Sequence, residues 1–244
     1  MIDFEKEFGN PGQLSPSYYG SGQVQIATTF KLVYGWMCAG LAASGVVAWY
    51  TAASGLWQRV LMGPGMFACV IAELALVFIL SLTINKLPVI AAYAMFAAYA
   101  IINGLTLSVV FIAYELAMVQ RVFFLTAAMF GGMALYGTFT NADLSKVGSI
   151  CGMALWGLII ASLVNLFLRS SGLDWIVSIA GVLIFTGLTV YDAQKIKQMA
   201  AVEGSMDRDA VHRVAIMGAL TMYLDFINLF LYMLKLLGNK GRRR

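Results

Sequence analysis

The sequence predicts an all-α membrane protein: one bundle of seven transmembrane helices. Three observations carry that prediction. Of the 244 residues, 61% are hydrophobic and 11% charged, with a mean hydropathy of +0.82, far outside the usage of a water-soluble domain. Seven apolar runs follow one another near 32–52, 65–84, 89–114, 122–139, 147–168, 173–191 and 214–237. Each is 18 to 26 residues long, and about 17–25 residues at about 1.5 Å each serve to cross a hydrocarbon core of about 30 Å. The four prolines avoid the interiors of these runs: Pro11 and Pro16 precede the first, while Pro64 and Pro88 stand at the entrances to the second and third, where a missing N–H matters least.

In chain order, residues 1–30 hold Gly9, Pro11, Gly12, Pro16, Gly20 and Gly22 among polar residues, with Asp3, Glu5 and Glu7 against Lys6. This composition reads as a flexible N-terminal tail. No basic start, short apolar core and small-residue cut site precede residue 31, so the first run is expected to stay in the mature chain. The transmembrane domain then occupies 31–238, and 239–244 form a basic C-terminal tail. Gly35 with Ala39, Gly40 with Ser44, and Gly148 with Gly152 place small residues four apart, which favours close packing of helices in lipid. The third run carries Tyr99, Asn103 and Thr106 on one face, and the fifth carries Ser162 and Asn165; these read as interhelical hydrogen-bonding groups. The sixth run holds Asp174 near its start and can continue as helix past Tyr191 into Lys195 and Lys197, which leaves six spans plus a surface helix as the alternative.

Lys86, Lys146, Lys195, Lys197, Arg208 and Arg213 fall in connections on one side, and Arg59, Arg121 and Arg169 in connections on the other. The excess predicts a cytoplasmic N-terminus, although Lys240, Arg242, Arg243 and Arg244 fall on the poorer side. No basic stripe interleaved with aromatics is present to hold a nucleic acid. Cys38, Cys69 and Cys151 lie far apart inside apolar runs, which suits neither a disulfide framework nor a zinc site; they read as small core residues. No cofactor is expected.

Charge inside a bilayer is expensive, so intramembrane carboxylates are candidate functional groups. Asp225 lies near the centre of the last run and Glu73 well inside the second. Thr221, Asn228 and Tyr232 share a helical face with Asp225. A polar stripe on an otherwise apolar helix should face the bundle interior, so the C-terminal helix is expected to be central. The plainer alternative is a protonated Asp225 hydrogen-bonded to a neighbouring helix. Asp192 ends the sixth run with Thr189 one turn before and Lys195 one turn after, and an interfacial carboxylate capped by water and Lys195 is an equal reading. Measured from the ends of their runs, Asp225 should lie roughly 10 Å deeper than Asp192.

The stretches Gly187-Leu-Thr-Val-Tyr-Asp192-Ala-Gln-Lys-Ile-Lys and Ala219-Leu-Thr-Met-Tyr-Leu-Asp225-Phe-Ile-Asn-Leu-Phe-Leu resemble the two C-terminal signatures of the Bax inhibitor-1 family. Leu135-Tyr-Gly137, Asp143-Leu-Ser145 and Asn103-Gly-Leu-Thr-Leu-Ser108 add to the likeness, which runs from about 30 to 238 and is nearest the bacterial YccA-like branch. The resemblance implies a last helix surrounded by the other six and a pH-sensitive calcium leak governed by Asp192 and Asp225 in contact. It further implies a role for Glu73 in the ion path and a basic latch on the aspartates; the chain reads Ile84-Asn85-Lys86 there, leaving Lys86 as the nearest substitute. Two carboxylates in a desolvated site share a proton, and their oxygens suit calcium, though two acids fall short of its usual six to eight ligands. Transient binding of that kind suits conduction.

Enzymatic readings fit poorly. An intramembrane aspartyl protease needs Gly-x-Gly-Asp, whereas Met222-Tyr-Leu precedes Asp225; a rhomboid-like protease needs a membrane histidine, whereas His212 lies among charges; a retinal protein needs a lysine midway along its last helix, whereas Lys235 is at the end. The alternative to an ion leak is a bacterial inner-membrane interaction protein that modulates an FtsH-type membrane protease or a stress response through its N-terminal tail.

Overall fold

A computed structural model describes residues 16–203 and 208–238, and the described residues contain helices and no strands. The N-terminal tail through residue 15 and the basic tail at 239–244 lie outside them. The helices are α1 (Pro16–Ala53), a short α2 (Leu56–Val60), α3 (Pro64–Thr83), α4 (Val89–Ala113), α5 (Leu116–Phe139), α6 (Ser145–Leu168), α7 (Ser171–Glu203) and α8 (Arg208–Leu237). All but α2 contain a stretch long and apolar enough to cross a membrane, which makes seven spans and removes the six-span alternative.

Three boundaries differ from expectation. Helix α1 begins at Pro16, so half of the expected tail is helical, and Thr29 and Phe30 are buried in the bundle. Helix α7 runs on to Glu203 and α8 starts at Arg208, so most of the expected long connection at 195–213 is helix. Apolarity marks where a helix leaves lipid, whereas Lys195, Gln198, Met199, Ala200 and Ala201 are good helix formers that carry α7 on.

Burial separates an inner helix from outer ones. In the apolar stretch of α8, 72% of residues are buried, against 6% in both α3 and α6. Helix α8 packs on α1, α4, α5 and α7; α3 leans chiefly on α4, and α6 on α7. The last helix is therefore central, with four direct neighbours and two outriders rather than six equal ones. Leu82, Ile90, Phe139 and Phe167 stand among the most exposed apolar side chains, a stable arrangement only where the surroundings are lipid.

Two glycines set the position of α7. A Cβ on Gly148 would enter the ring of Tyr191, and one on Gly137 would strike the Val190 backbone. Helices α6 and α5 thereby grip α7 at the two residues preceding Asp192. The stripe on α1 is only partly used for packing: Gly40 meets Phe96 and Tyr223, but Gly35 meets nothing.

Hydrogen bonds tie connections together at one end of the bundle. Arg213 donates from Nη1 to the Asn85 carbonyl (2.9 Å), and Gln194 clasps the 140–144 connection through Nε2 to the Ala142 carbonyl (2.7 Å) and Oε1 from the Leu144 N–H (3.1 Å). The connections counted as the Lys- and Arg-rich set thus meet at one end.

Candidate functional site: an aspartate pair on the central helix

Asp192 on α7 and Asp225 on α8 lie within hydrogen-bonding contact of each other. Asp192 is half-buried, Asp225 is 5% exposed, and its Oδ2 is buried without a hydrogen-bond partner among the described residues. The expected separation in depth is therefore overturned. That reading took depth from the ends of the apolar runs, and both helices outrun those ends. In the α7–α8 pair Gly218 packs on Ile196 and Gly181 on Tyr232. This register puts Asp192 opposite Met222, one turn from Asp225, and two aspartate side chains bridge one turn.

The pair is flanked by two cavities along α8. One, of about 250 Å³, is lined by Ile84, Asn85, Asp192, Lys195, Arg213 and Thr221 among others. The second, also about 250 Å³, is lined by Tyr114, Asn228, Tyr232 and Lys235 with apolar neighbours. Thr221 and Asn228 are seven residues apart, roughly 10 Å of helix, and Asp225 stands between them. The polar stripe is thus divided: its first member lines one cavity and its last two the other, and Asp225, which lines neither, stands between them.

The remaining predicted residues have definite places. Thr189 is buried and donates to the Phe185 carbonyl (2.7 Å), within its own helix. Asn228 donates to the Leu224 carbonyl (2.8 Å), and the Tyr232 ring stacks on Phe185 at 5.8 Å between centroids. Lys86 is exposed and does not line the cavity beside Asp192; Arg213 does, and it holds Asn85 and Leu87 by their carbonyls.

Glu73 belongs to a separate network. Its Oε1 accepts from Thr106 Oγ1 (2.8 Å) and its Oε2 from Asn103 Nδ2 (3.3 Å). Asn103 Oδ1 accepts from the Tyr223 hydroxyl (2.8 Å), which in turn lies 2.6 Å from Ser44 Oγ. With each hydroxyl and amide carrying one role at a time, Ser44, Tyr223 and Asn103 can all point their donors toward the Glu73 carboxylate. Aligned bonds of this kind polarise one another. Four helices meet in this chain, and Tyr223 is two residues before Asp225. Sequence reasoning took Ser44 as a packing residue and Arg213 as an orienting charge and assigned neither them nor Tyr223 to a site: a lone Ser, Tyr or Arg carries no such signal until its partners are known. The cysteines also depart from expectation, since Cys38 is exposed and Cys69 and Cys151 are partly buried; an apolar residue facing lipid needs no core.

The family described as "Inhibitor of apoptosis-promoting Bax1" matches residues 26–242. This chain belongs to the Bax inhibitor-1 family. It is similar to the inner membrane protein YbhL of Escherichia coli K12, 45% identical over 217 residues that cover 88% of this chain and 93% of the relative. Uncharacterized proteins of Borreliella burgdorferi (42% identical, 85% and 90% covered) and Deinococcus radiodurans (40% identical, 87% and 90% covered) are further relatives. In this Bax inhibitor-1 chain both C-terminal signatures deliver their aspartates to one point, while Gly137 and Asp143-Leu-Ser145 serve the approach and the turn beside it. The Ser145 N–H donates to Asp143 Oδ1 (2.9 Å) at the start of α6.

Proposed function

We propose that this chain is a proton-sensitive cation leak of the bacterial inner membrane, with calcium as the permeant ion and the Asp192–Asp225 pair as its gate. The observation that carries the reading is the contact between two carboxyls on α7 and the central α8, placed between cavities approached from opposite ends. Two anions in a desolvated site repel; one shared proton joins them. Losing that proton puts negative charge at the constriction and pushes α7 from α8, so one protonation event alters both the width and the field of the path. The carboxylate oxygens are hard ligands suited to passing calcium. The reading needs no cofactor and no catalysed reaction. It places Glu73 as a second acidic point, joined to α8 through Asn103 and Tyr223, with Thr221, Asn228 and Tyr232 lining the approaches. Inner-membrane placement agrees with the name of the Escherichia coli relative and a cytoplasmic N-terminus with the Lys and Arg distribution.

The test is calcium entry into liposomes holding the purified protein at pH 6, 7 and 8, for wild type, Asp192→Asn and Asp225→Asn. The expected result is pH-dependent flux in wild type that either substitution makes independent of pH. Wild-type liposomes no leakier than empty ones at every pH would overturn the leak. The chain would then be read as a membrane partner of an FtsH-type protease, acting through its N-terminal residues.

A further inference from the structure

An apolar cleft of about 600 Å³ opens between α1 and α5, with Leu107, Val110 and Phe111 of α4 also lining it. These two helices barely touch, and α8 forms the floor with Phe226, Ile227 and Phe230. The rim is exposed: Val46 is 65% and Phe124 70% accessible, and both belong to the apolar outer belt of the bundle. The floor residues follow directly on Asp225. The cleft therefore runs from the lipid-facing surface inward to the central helix, beside the gate proposed above but independent of it.

Its α1 wall includes Cys38, Leu41, Ala42, Gly45 and Val46, spaced i, i+3, i+4, i+7, i+8 on that helix, with Ser44 and Ala48 beside them. Gly45 is informative. Glycine inside a helix is unfavourable relative to alanine, and in membrane bundles it is usually retained where another backbone comes close. Here a Cβ would meet nothing within 4 Å. Gly45 serves no helix contact; what it does is keep the cleft wide.

We propose that this cleft holds one acyl chain of a bilayer phospholipid, which reaches between α1 and α5 to touch α8 beside Asp225. An apolar cavity stays dry, and one of about 150 Å³ already suffices to hold benzene. A gap this size left empty would leave its walls without partner atoms. The cleft opens sideways at the depth of the spans, where the surrounding molecules are hydrocarbon chains, and its lining continues the belt that already faces them. A bound chain supports the side of α8 that α1 and α5 leave uncovered.

The test uses full-length protein, one copy per nanodisc, in phosphatidylcholine with or without bromine on the acyl chains. Phe230→Trp places a fluorescent reporter on the floor, and its emission is taken as the difference from the parent protein. The expected result is a loss of this emission in brominated lipid that Gly45→Leu, which fills the cleft and favours the helix, restores. An unquenched floor reporter overturns the proposal. Quenching that Gly45→Leu leaves unchanged also overturns it, because the chain then reaches the floor by another route. An unquenched floor reporter whose emission changes, in unbrominated lipid, when several copies share a disc would assign the cleft to a second copy of the protein instead.

Discussion

Tyr223→Phe isolates the polar hub of the bundle. The ring of Tyr223 is wholly buried and sits edge-on to Phe96 at 5.9 Å and to Tyr99 at 5.6 Å, contacts that phenylalanine keeps. The hydroxyl alone is lost. Ser44, whose single proton points at Tyr223 in this arrangement, can turn it to the Ala100 or Gly40 carbonyl at 2.7 or 2.9 Å, so the group left without its partner is Asn103 Oδ1. Interhelical hydrogen bonds in membranes average about 0.6 kcal/mol and reach about 1.7, and removing one partner of a buried acceptor costs about 1–3 kcal/mol where it cannot rehydrate, two measures of the same loss. The expected loss is therefore about 1–2 kcal/mol, well below the roughly 3–5 kcal/mol of removing a buried aromatic ring. Reversible unfolding in bicelles measures it, and a cycle with Glu73→Gln measures the coupling along the chain. A Tyr223→Phe protein as stable as wild type, with its effect additive to that of Glu73→Gln, would refute the view that Glu73 is joined to the central helix through this hydroxyl.

Gly148→Val should push the Tyr191 ring off α6 and destabilise the bundle by about 1–3 kcal/mol, the range for overpacking, while Gly152→Ala, with nothing near its Cβ, should be neutral or slightly stabilising in the same unfolding assay. Arg213→Gln should free the Asn85 and Leu87 carbonyls, and amide hydrogen exchange at 84–87 should rise relative to wild type with α4 unchanged. Asp143 lies outside the spans, and the hydroxyl and N–H of Ser145 hold its carboxyl below the usual carboxylate range. Its folded-state value is depressed, so its contribution to stability is present above the unfolded value, about 3.9, and is lost as pH falls through the folded value. The difference in unfolding midpoint between wild type and Asp143→Ala should accordingly shrink as the pH is taken below about 4.

The seven spans were legible because hydropathy and length measure the same quantity that lipid selects. The centrality of α8 was legible for a related reason: Thr221, Asp225, Asn228 and Tyr232 on one line of an apolar helix can only be satisfied inside. What the chain's own residues did not disclose was register. Whether Asp192 meets Asp225 depends on how far α7 and α8 extend past the membrane and on which residues cross, and that is set by Gly137, Gly148, Gly181 and Gly218, whose partners are remote in sequence. The family likeness supplied the contact that run-end arithmetic denied. The hub at Tyr223 was hidden for the same reason, since a tyrosine two residues from a conspicuous aspartate looks like filler until Ser44 and Asn103 are placed beside it.

That hub gives the outlying helix α3 a polar route to the neighbourhood of the Asp192–Asp225 pair. Helix α3 leans chiefly on α4, and little of its surface is buried. The contact of Glu73 with Thr106 and Asn103 is thus a principal polar tie between α3 and the bundle. Protonating Glu73 weakens the tie at one end of a chain that passes through Tyr223 on α8, two residues from Asp225. If that chain carries coupling, Glu73→Gln should shift the pH dependence of calcium entry without abolishing it, and adding Tyr223→Phe should produce no further shift. A further shift of equal size in the double variant would show that the two residues act on the leak separately, and that α3 is tethered to the bundle without informing its gate.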